Sequence, residues 1–295
     1  MTGMRPPRQA RSLAEPDLPG LLALTGRCLA ADGGLPDAAS EVFVCRMFLS
    51  GPGAAWLDDG GALVAAAALG PELDGRVTAA GAVDPAVRGL GIGGQLLDWT
   101  LASAAGRPLL IGTESLSEPA ERLYARYGLR QVFAEVVMRA DLPAPATDGL
   151  ARGGRLPAGL VLRTWPGAEA EFFAAYDAAF RDRPGFPGWT MQEWLDWTGG
   201  DEDFRPELSL LAADQSGSPA GFVTVSKNWI VQAGVVPAWR RRGLGAGLMR
   251  AAMAGIAAAG FGSCWLTVAT NNPGAIGLYG KLGFAVTGRR ARYAS

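Results

Sequence analysis

The feature that most constrains this chain of 295 residues is that one stretch occurs twice. Val235-Val236-Pro237-Ala238-Trp239-Arg240-Arg241-Arg242-Gly243-Leu244-Gly245-Ala246-Gly247 is matched by Val83-Asp84-Pro85-Ala86-Val87-Arg88-Gly89-Leu90-Gly91-Ile92-Gly93, with Pro85, Arg88, Gly91 and Gly93 all 152 positions before their partners. A second match follows each copy. Asn272-Pro273-Gly274-Ala275-Ile276-Gly277-Leu278-Tyr279-Gly280-Lys281-Leu282-Gly283-Phe284 parallels Ser117-Glu118-Pro119-Ala120-Glu121-Arg122-Leu123-Tyr124-Ala125-Arg126-Tyr127-Gly128-Leu129. Two motifs duplicated in the same order rule out chance, and the period is far above the roughly 20–50 residues of a solenoid. The chain is therefore expected to hold two copies of one kind of domain.

Each first motif reads as a strand, a glycine loop and a helix. That order leaves backbone N–H groups unpaired at a helix N-terminus, which carries about half a positive charge and attracts anions. Gly243, Gly245 and Gly247 let a ligand approach the backbone, and the arginines add permanent charge. A pyrophosphate is the ligand this predicts; a tight turn before a helix would use the same glycines. A P-loop is excluded because Lys and Ser/Thr are missing after the last glycine, where Leu248 stands. A dinucleotide fingerprint is excluded because Leu248 replaces its third glycine and no acid lies near position 265.

Composition narrows the classes further. A net charge of −1 and a pI near 5.7 argue against a nucleic-acid partner. No apolar run reaches the ~20 residues that span a bilayer, so no membrane partner is expected. Residues 1–8 are not followed by the apolar core of a signal peptide, and a cytoplasmic location is expected. Cys28, Cys45 and Cys264 are scattered and read as small buried hydrophobes. The absence of histidine removes His bases, His triads and His ligands, and no metal site is expected.

Along the chain, helical periodicity marks residues 18–30 and 41–49. Strands are expected at 9–13, 62–69, 76–83 and 108–111, helices at 93–104 and 118–127, and a closing hairpin at 129–140. The second copy shows strands at 160–164, 208–213, 220–226, 229–236 and 263–269. Its helices are expected at 168–180, 190–197, 248–259 and 273–282, with a final hairpin at 284–293. Thr190 and Glu193 form a capping-box pattern, and Asn272 with Pro273 starts the last helix. Pro, Gly and Ala dominate the stretch between the copies. The expected organisation is thus an N-terminal domain over 1–146, a linker over 147–157 and a C-terminal domain over 158–295.

The paired motifs resemble the GNAT superfamily of acyl-CoA-dependent N-acetyltransferases. Its pattern is a strand ending V-x-P, then R-x-x-G-x-G/A opening a helix, and later N-x-x-A-x-x-L-Y and G-F. The resemblance implies an α/β fold of two tandem GNAT domains, each a mixed, mostly antiparallel, splayed sheet flanked by helices. It implies acetyl-CoA as co-substrate, with the pantetheine beside Val235 and Val236, and beside Ala82 and Val83 in the first copy. The pyrophosphate would take the N–H groups of Arg240, Arg241, Arg242, Gly243, Leu244, Gly245, Ala246 and Gly247, with Asn272 nearby; in the first copy, those of Arg88, Gly89, Leu90, Gly91, Ile92 and Gly93. Tyr279, and in the first copy Tyr124, would protonate the departing thiolate. The acceptor implied is a primary amine of a small molecule, attacking directly in a ternary complex, in a monomer or homodimer.

The second copy keeps Asn272 and Gly283-Phe284, where the first has Ser117 and Gly128-Leu129. The C-terminal domain is therefore expected to be catalytic and the N-terminal one degenerate or accessory. One tandem member of similar size, whose catalytic half the second copy resembles, carries a substrate-binding Glu where this chain has Trp229, and H-P-E-Q-G where it has Arg183-Pro184-Gly185-Phe186-Pro187-Gly188. Loss of those carboxylates argues against an amino-sugar acceptor. Trp189, Trp194, Trp197 and Trp229 would line a more apolar pocket or fill the core. Asp177, Asp182, Asp196, Asp201, Glu202 and Asp203 are candidates for a base or for surface charge. A non-catalytic acyl-CoA-binding or regulatory module and a protein or peptide amine acetyltransferase remain alternatives.

Overall fold

A computed structural model describes residues 10–143, 156–183 and 185–295. Most of the expected linker, and the segment 1–8, lie outside the described residues. Two compact bodies emerge, and they are not consecutive halves. The first comprises Met1–Val137, Val268–Asn271 and Val286–Ser295; the second comprises Met138–Thr267 and Asn272–Ala285.

In the first body the strands are β1 (Arg11–Ser12), β2 (Gly53–Leu57), β3 (Leu63–Leu73), β4 (Arg76–Val83) and β5 (Leu109–Thr113). The chain's last strand, β12 (Ala285–Ala294), lies antiparallel on β5, so the sheet runs β1-β2-β3-β4-β5-β12. β4 and β5 are parallel, and the other pairs are antiparallel. The expected closing hairpins do not form: residues 129–140 give one strand, β6 (Arg130–Asp141), and 284–293 give β12. Nothing in either stretch supplies a hairpin turn. Arg289 to Arg292 sit within β12 because each long side chain finds a carboxylate or carbonyl in the first body.

The run Leu63–Leu69 is apolar throughout because β3 is covered on both faces. Ala66 and Ala68 meet α1 (Leu18–Asp32) and α2 (Glu41–Phe48) through Leu21, Leu24, Val44 and Phe48. Ala65 and Ala67 meet Ile92 and Leu96 of α3 (Ile92–Ala104). The period of two therefore serves two cores. A third cluster joins α3 and α4 (Glu118–Arg126) to β4, β5 and β12 through Leu97, Tyr124, Val77, Ile111 and Tyr293.

The second body orders β7 (Leu160–Thr164), β8 (Leu210–Asp214), β9 (Pro219–Ser226), β10 (Trp229–Val235) and β11 (Ser263–Ala269) as β11-β10-β9-β8-β7. Again the one parallel pair described is the fourth strand on the fifth, β10 on β11. Helices α5 (Glu169–Phe180) and α6 (Met191–Gly199) close an aromatic core of Trp165, Phe172, Tyr176, Trp194 and Phe222. Thr190 and Glu193 cap α6 reciprocally, as the sequence predicts. Helix α7 (Leu244–Ala258) buries Leu244, Leu248 and Ile256; α8 (Pro273–Lys281) is capped by Asn272. No described helix is long and apolar enough to cross a membrane.

Candidate active site

In each body the parallel pair parts. β4 and β5 are in register only from Val77↔Leu109 to Ala79↔Ile111, although β4 runs on to Val83. β10 and β11 pair only at Trp229↔Trp265 and Ile230↔Leu266, and the indoles of the first pair stack at 5.6 Å before the strands part. A bulge at Val231 shifts the register of β10 on β9.

The pleat decides which backbone groups face the gap. Val77 N–H donates toward β5 (to Pro108, 2.9 Å) and Asp84 N–H toward β3 (to Val64, 2.8 Å). By alternation Gly81 and Val83 present N–H and C=O to the opening, and Ala82 faces β3, where it pairs with Ala66. In the second body Val236 N–H is taken by Ala220 (3.0 Å), so Ala233 and Val235 face the opening. Of the residues predicted to meet the pantetheine, Val83 and Val235 are presented; Ala82 and Val236 belong to the ladder. Gly81 and Ala233, which the motif did not single out, face the gap as well.

Beyond each strand the two loops repeat the same conformation. Gly91 (φ 83°) and Gly243 (φ 84°) are the left-handed caps that open α3 and α7. Two residues earlier, Gly89 (φ 82°) matches Arg241 (φ 62°), a non-glycine residue held in the left-handed region. A Cβ at Gly91 or Gly243 would meet nothing within 4 Å, so these glycines are required by dihedral angle and leave open space before the backbone. Among the described residues no acceptor meets the N–H groups of 89–93 or of 241–246. Successive unbonded N–H groups at a helix start form a concave anion nest. The flanks of the predicted range are otherwise engaged: Arg88 and Arg240 N–H bond Pro85 and Pro237, and Gly247 N–H bonds Gly243.

The arginine side chains divide. Arg88 makes a two-pronged pair with Asp32 (2.7 and 2.6 Å), and its Nε reaches Val83 C=O (3.2 Å). Arg240 repeats the last contact, Nε to Val235 C=O at 3.1 Å, and donates to Ala179 C=O at 3.0 Å. Both thus brace the end of the parted strand rather than rim the nest. Arg241 and Arg242 are exposed, Arg242 lying over the Trp239 ring at 5.1 Å. Asp84, buried in the first loop, accepts from Ala86 N–H (2.9 Å) and from Arg27 (2.6 Å). Asn272, predicted near the cofactor, accepts from Ala275 N–H (3.2 Å) as the cap of α8, and Ser117 does the same for α4.

In the first body these features open on one cleft of about 780 Å³, lined by Gly81 to Val83, Arg88, Gly89, 91–94 and Tyr124. Tyr124 is buried against Tyr293 (ring centroids 4.5 Å apart), and burial, with Tyr293 beside it, pushes its phenol up to about 12. Burial also raises Tyr279, which packs on Phe284 at 6.0 Å. Both phenols hold their protons across the neutral range. Two further residues of the cleft were not legible in the motifs. Glu114 is buried, held by Arg290 and Arg292 from β12; the Cys28 thiol donates to Val83 C=O at 3.3 Å, and burial raises its pKa.

A second cavity, of about 390 Å³, lies in the second body between α6, the loop after it, β9 and the β10 bulge. Asp196, Trp197, Thr198, Asp201, Phe204, Thr224 and Val231 line it. Of the four tryptophans considered, only Trp197 lines this cavity. Trp194 is fully buried with Nε1 on Gln232 (3.2 Å), Trp189 packs on Trp197, and Trp229 stacks on Trp265. Of the six acidic candidates, Asp196 and Asp201 line it, while Asp177 pairs with Arg181.

The Acetyltransferase (GNAT) family model matches residues 170–284, and an Acetyltransferase (GNAT) domain model matches residues 51–130. The chain is 33% identical over 293 residues to the mycothiol acetyltransferase of Clavibacter michiganensis subsp. michiganensis, covering 94% of this chain and 91% of that one. It is 32% identical over 279 residues to that of Nocardia farcinica, covering 87% and 86%. Among solved structures, a GCN5-related N-acetyltransferase from Sphaerobacter thermophilus aligns at TM-score 0.75 and 26% identity over 97% of this chain and 95% of that one. A tandem GNAT protein from the clavulanic acid biosynthesis pathway aligns at TM-score 0.61 and 20% identity, over 97% and 98%, a likeness of fold. The chain therefore belongs to the GNAT acetyltransferase family, as an acyltransferase built of two GNAT domains.

Proposed function

We propose that the protein transfers an acetyl group from acetyl-CoA to the primary amine of a small molecule, by direct attack within a ternary complex. The observation that carries this reading is that a parted strand runs directly into a nest of N–H groups without partners in each body, and that in the first body both line one cleft. Unpaired N–H groups at a helix start suit a diphosphate, and a parted strand edge suits the amides of a pantetheine arm. Bound there, acetyl-CoA would supply the activated acyl group.

The residues of the second body are assigned the chemistry. Ala233 N–H, facing the opening, polarises the thioester carbonyl. Asp196 and Asp201, at the cavity beside the bulge, stand where the amine can shed a proton. The amine nitrogen bonds the acetyl carbon, the C–S bond breaks, and Tyr279 gives its proton to the sulfur. The relatives' name points to acetyl transfer connected with mycothiol; Trp229 in place of a carboxylate argues for a different amine here. The cleft of the first body, with Val83, the nest and Tyr124 on its wall, is assigned a second acyl-CoA site.

Release of free CoA with a panel of amines tests the reading. Tyr279→Phe is expected to lower turnover about 10²–10⁴-fold with little change in acetyl-CoA affinity, and Tyr124→Phe to leave it nearly intact. Loss of turnover in the Tyr124 variant alone would move catalysis to the first body. No CoA release with any amine would favour an acyl-CoA-binding module.

A further inference from the structure

The cavity of the second body contains two hydroxyl groups that the fold leaves without partners. Thr224 is 1% exposed and Thr198 is 5% exposed, and neither Oγ1 has a hydrogen-bond partner among the described residues. Thr198 is the more telling. The other two buried helical threonines bond back one turn, Thr25 to Leu21 C=O (2.9 Å) and Thr100 to Leu96 C=O (2.7 Å). That bond is the usual outlet for a threonine inside a helix. Thr198, in the last turn of α6, does not make it. A buried hydroxyl left unmade is costly, and two in one cavity mark a place where polar atoms are to be supplied from outside the chain.

The rest of the cavity fixes the character of what is supplied. Trp197 and Phe204 give aromatic walls, and Trp197 is half-exposed at the mouth. Asp196 and Asp201 stand at the rim, and neither is in an ion pair among the described residues. Carboxylates beside an indole face attract a cation, and an anionic molecule would meet only like charge. Val231, the bulge residue of β10, also lines the cavity and, like Trp197, is partly exposed. Ala233, whose N–H faces the parted strands, follows two residues later, about 7 Å along the strand. A volume near 390 Å³ suits a small molecule rather than a peptide side chain presented from a surface.

We infer that this cavity holds the acceptor, a small aromatic or apolar primary amine that enters as the ammonium and carries a hydroxyl group bonded by Thr198 and Thr224. The inference rests on the acetyl-transfer reading of the second body, and it names a substrate class for that site.

The test compares 2-amino-1-phenylethanol with 2-phenylethylamine, which differ by one hydroxyl, and uses phenylacetate as an anionic competitor. Steady-state acetylation is measured for the wild-type protein, Thr224→Val and Thr198→Val, with acetyl-CoA titrated separately by calorimetry. The wild type is expected to prefer the hydroxylated amine about tenfold in kcat/KM, from one net hydrogen bond. Each variant is expected to lose that preference, with the deoxy amine little changed and phenylacetate not competing. Both variants should melt at or above the wild-type temperature, because they remove an unpartnered hydroxyl; a merely structural threonine would melt lower. Variants that keep the wild-type preference overturn the inference and leave the transfer reading standing, as does a wild type that binds acetyl-CoA but acetylates neither amine. Failure to bind acetyl-CoA at all sinks the transfer reading itself.

Discussion

Replacing Gly243 by Ala separates the two demands made on the glycine nest. Gly243 has φ 84° and ψ −4°, and a Cβ there meets nothing within 4 Å. No atom must move, so the folding cost is the left-handed dihedral penalty, about 1–2 kcal/mol for an L-residue. The loss of unfolded-state freedom returns roughly 0.4–1 kcal/mol of it. The net cost is therefore on the order of 1 kcal/mol, a shift of about 2–4 °C for a domain of this size. Binding should respond far more. The methyl group is added in open space at Gly243, within the run 241–246 of unbonded N–H groups. Keeping a diphosphate from one or two of those donors loses about 1.5–3 kcal/mol for each charge-assisted bond, or roughly one to four orders of magnitude in affinity. Thermal melting and titration calorimetry with acetyl-CoA read the two effects on one sample. A variant that melts a few degrees lower and binds as tightly as wild type would refute the assignment of the nest. Arg241→Gly is the control: it relieves a left-handed residue that the first copy already fills with Gly89, and should leave stability equal or slightly higher.

Three further outcomes follow from the geometry. Asp32→Asn should destabilise the first body by about 3–5 kcal/mol, because the half-buried Arg88 guanidinium loses its two-pronged partner; denaturant unfolding checks this, and a change below 1 kcal/mol contradicts it. Tyr124, with its phenol pushed up to about 12 against 10 in the unfolded chain, contributes stability that is fully present below pH 10 and lost as pH rises toward 12. Tyr124→Phe should therefore remove about 1 kcal/mol of alkaline destabilisation between roughly pH 9.5 and 11, read as a flatter stability curve over that range. Deleting residues 285–295 takes β12 from β5 and Tyr293 from the first core. Amides of β5 and α4 should then lose hydrogen-exchange protection while β8 and β9 keep theirs; the reverse pattern would deny the interleaving.

Much of the site was legible because it is local. The V-x-P strand ends, the left-handed glycines and the caps at Thr190 and Asn272 each depend on neighbours a few residues away, and each forms where the motif places it. Strands β4, β7 and β11 match their expected bounds for the same reason. Helix α7 starts earlier than expected, at Leu244, because glycines 245 and 247 read as loop. They are carried inside the helix by the burial of Leu244 and Leu248. What was not legible depends on partners distant in sequence. The pairing of β12 with β5, the grip of Arg290 and Arg292 on Glu114, and the engagement of Arg88 by Asp32 all join segments that no periodicity connects. Strand β2 went unread because Gly53–Leu57 is short and alanine-rich, buried only through its neighbours. The pleat was readable in principle: counting back two residues from Val83 and Val235 points to Gly81 and Ala233.

The most direct measurement of the central claim is a crystal structure of the protein grown with acetyl-CoA. The account predicts diphosphate oxygens about 3 Å from N–H groups of 241–246, with the pantetheine amides against Ala233 and Val235, and an equivalent molecule in the cleft at Gly81, Val83 and 89–93. Acetyl-CoA bound elsewhere, with both nests filled only by water, would contradict it.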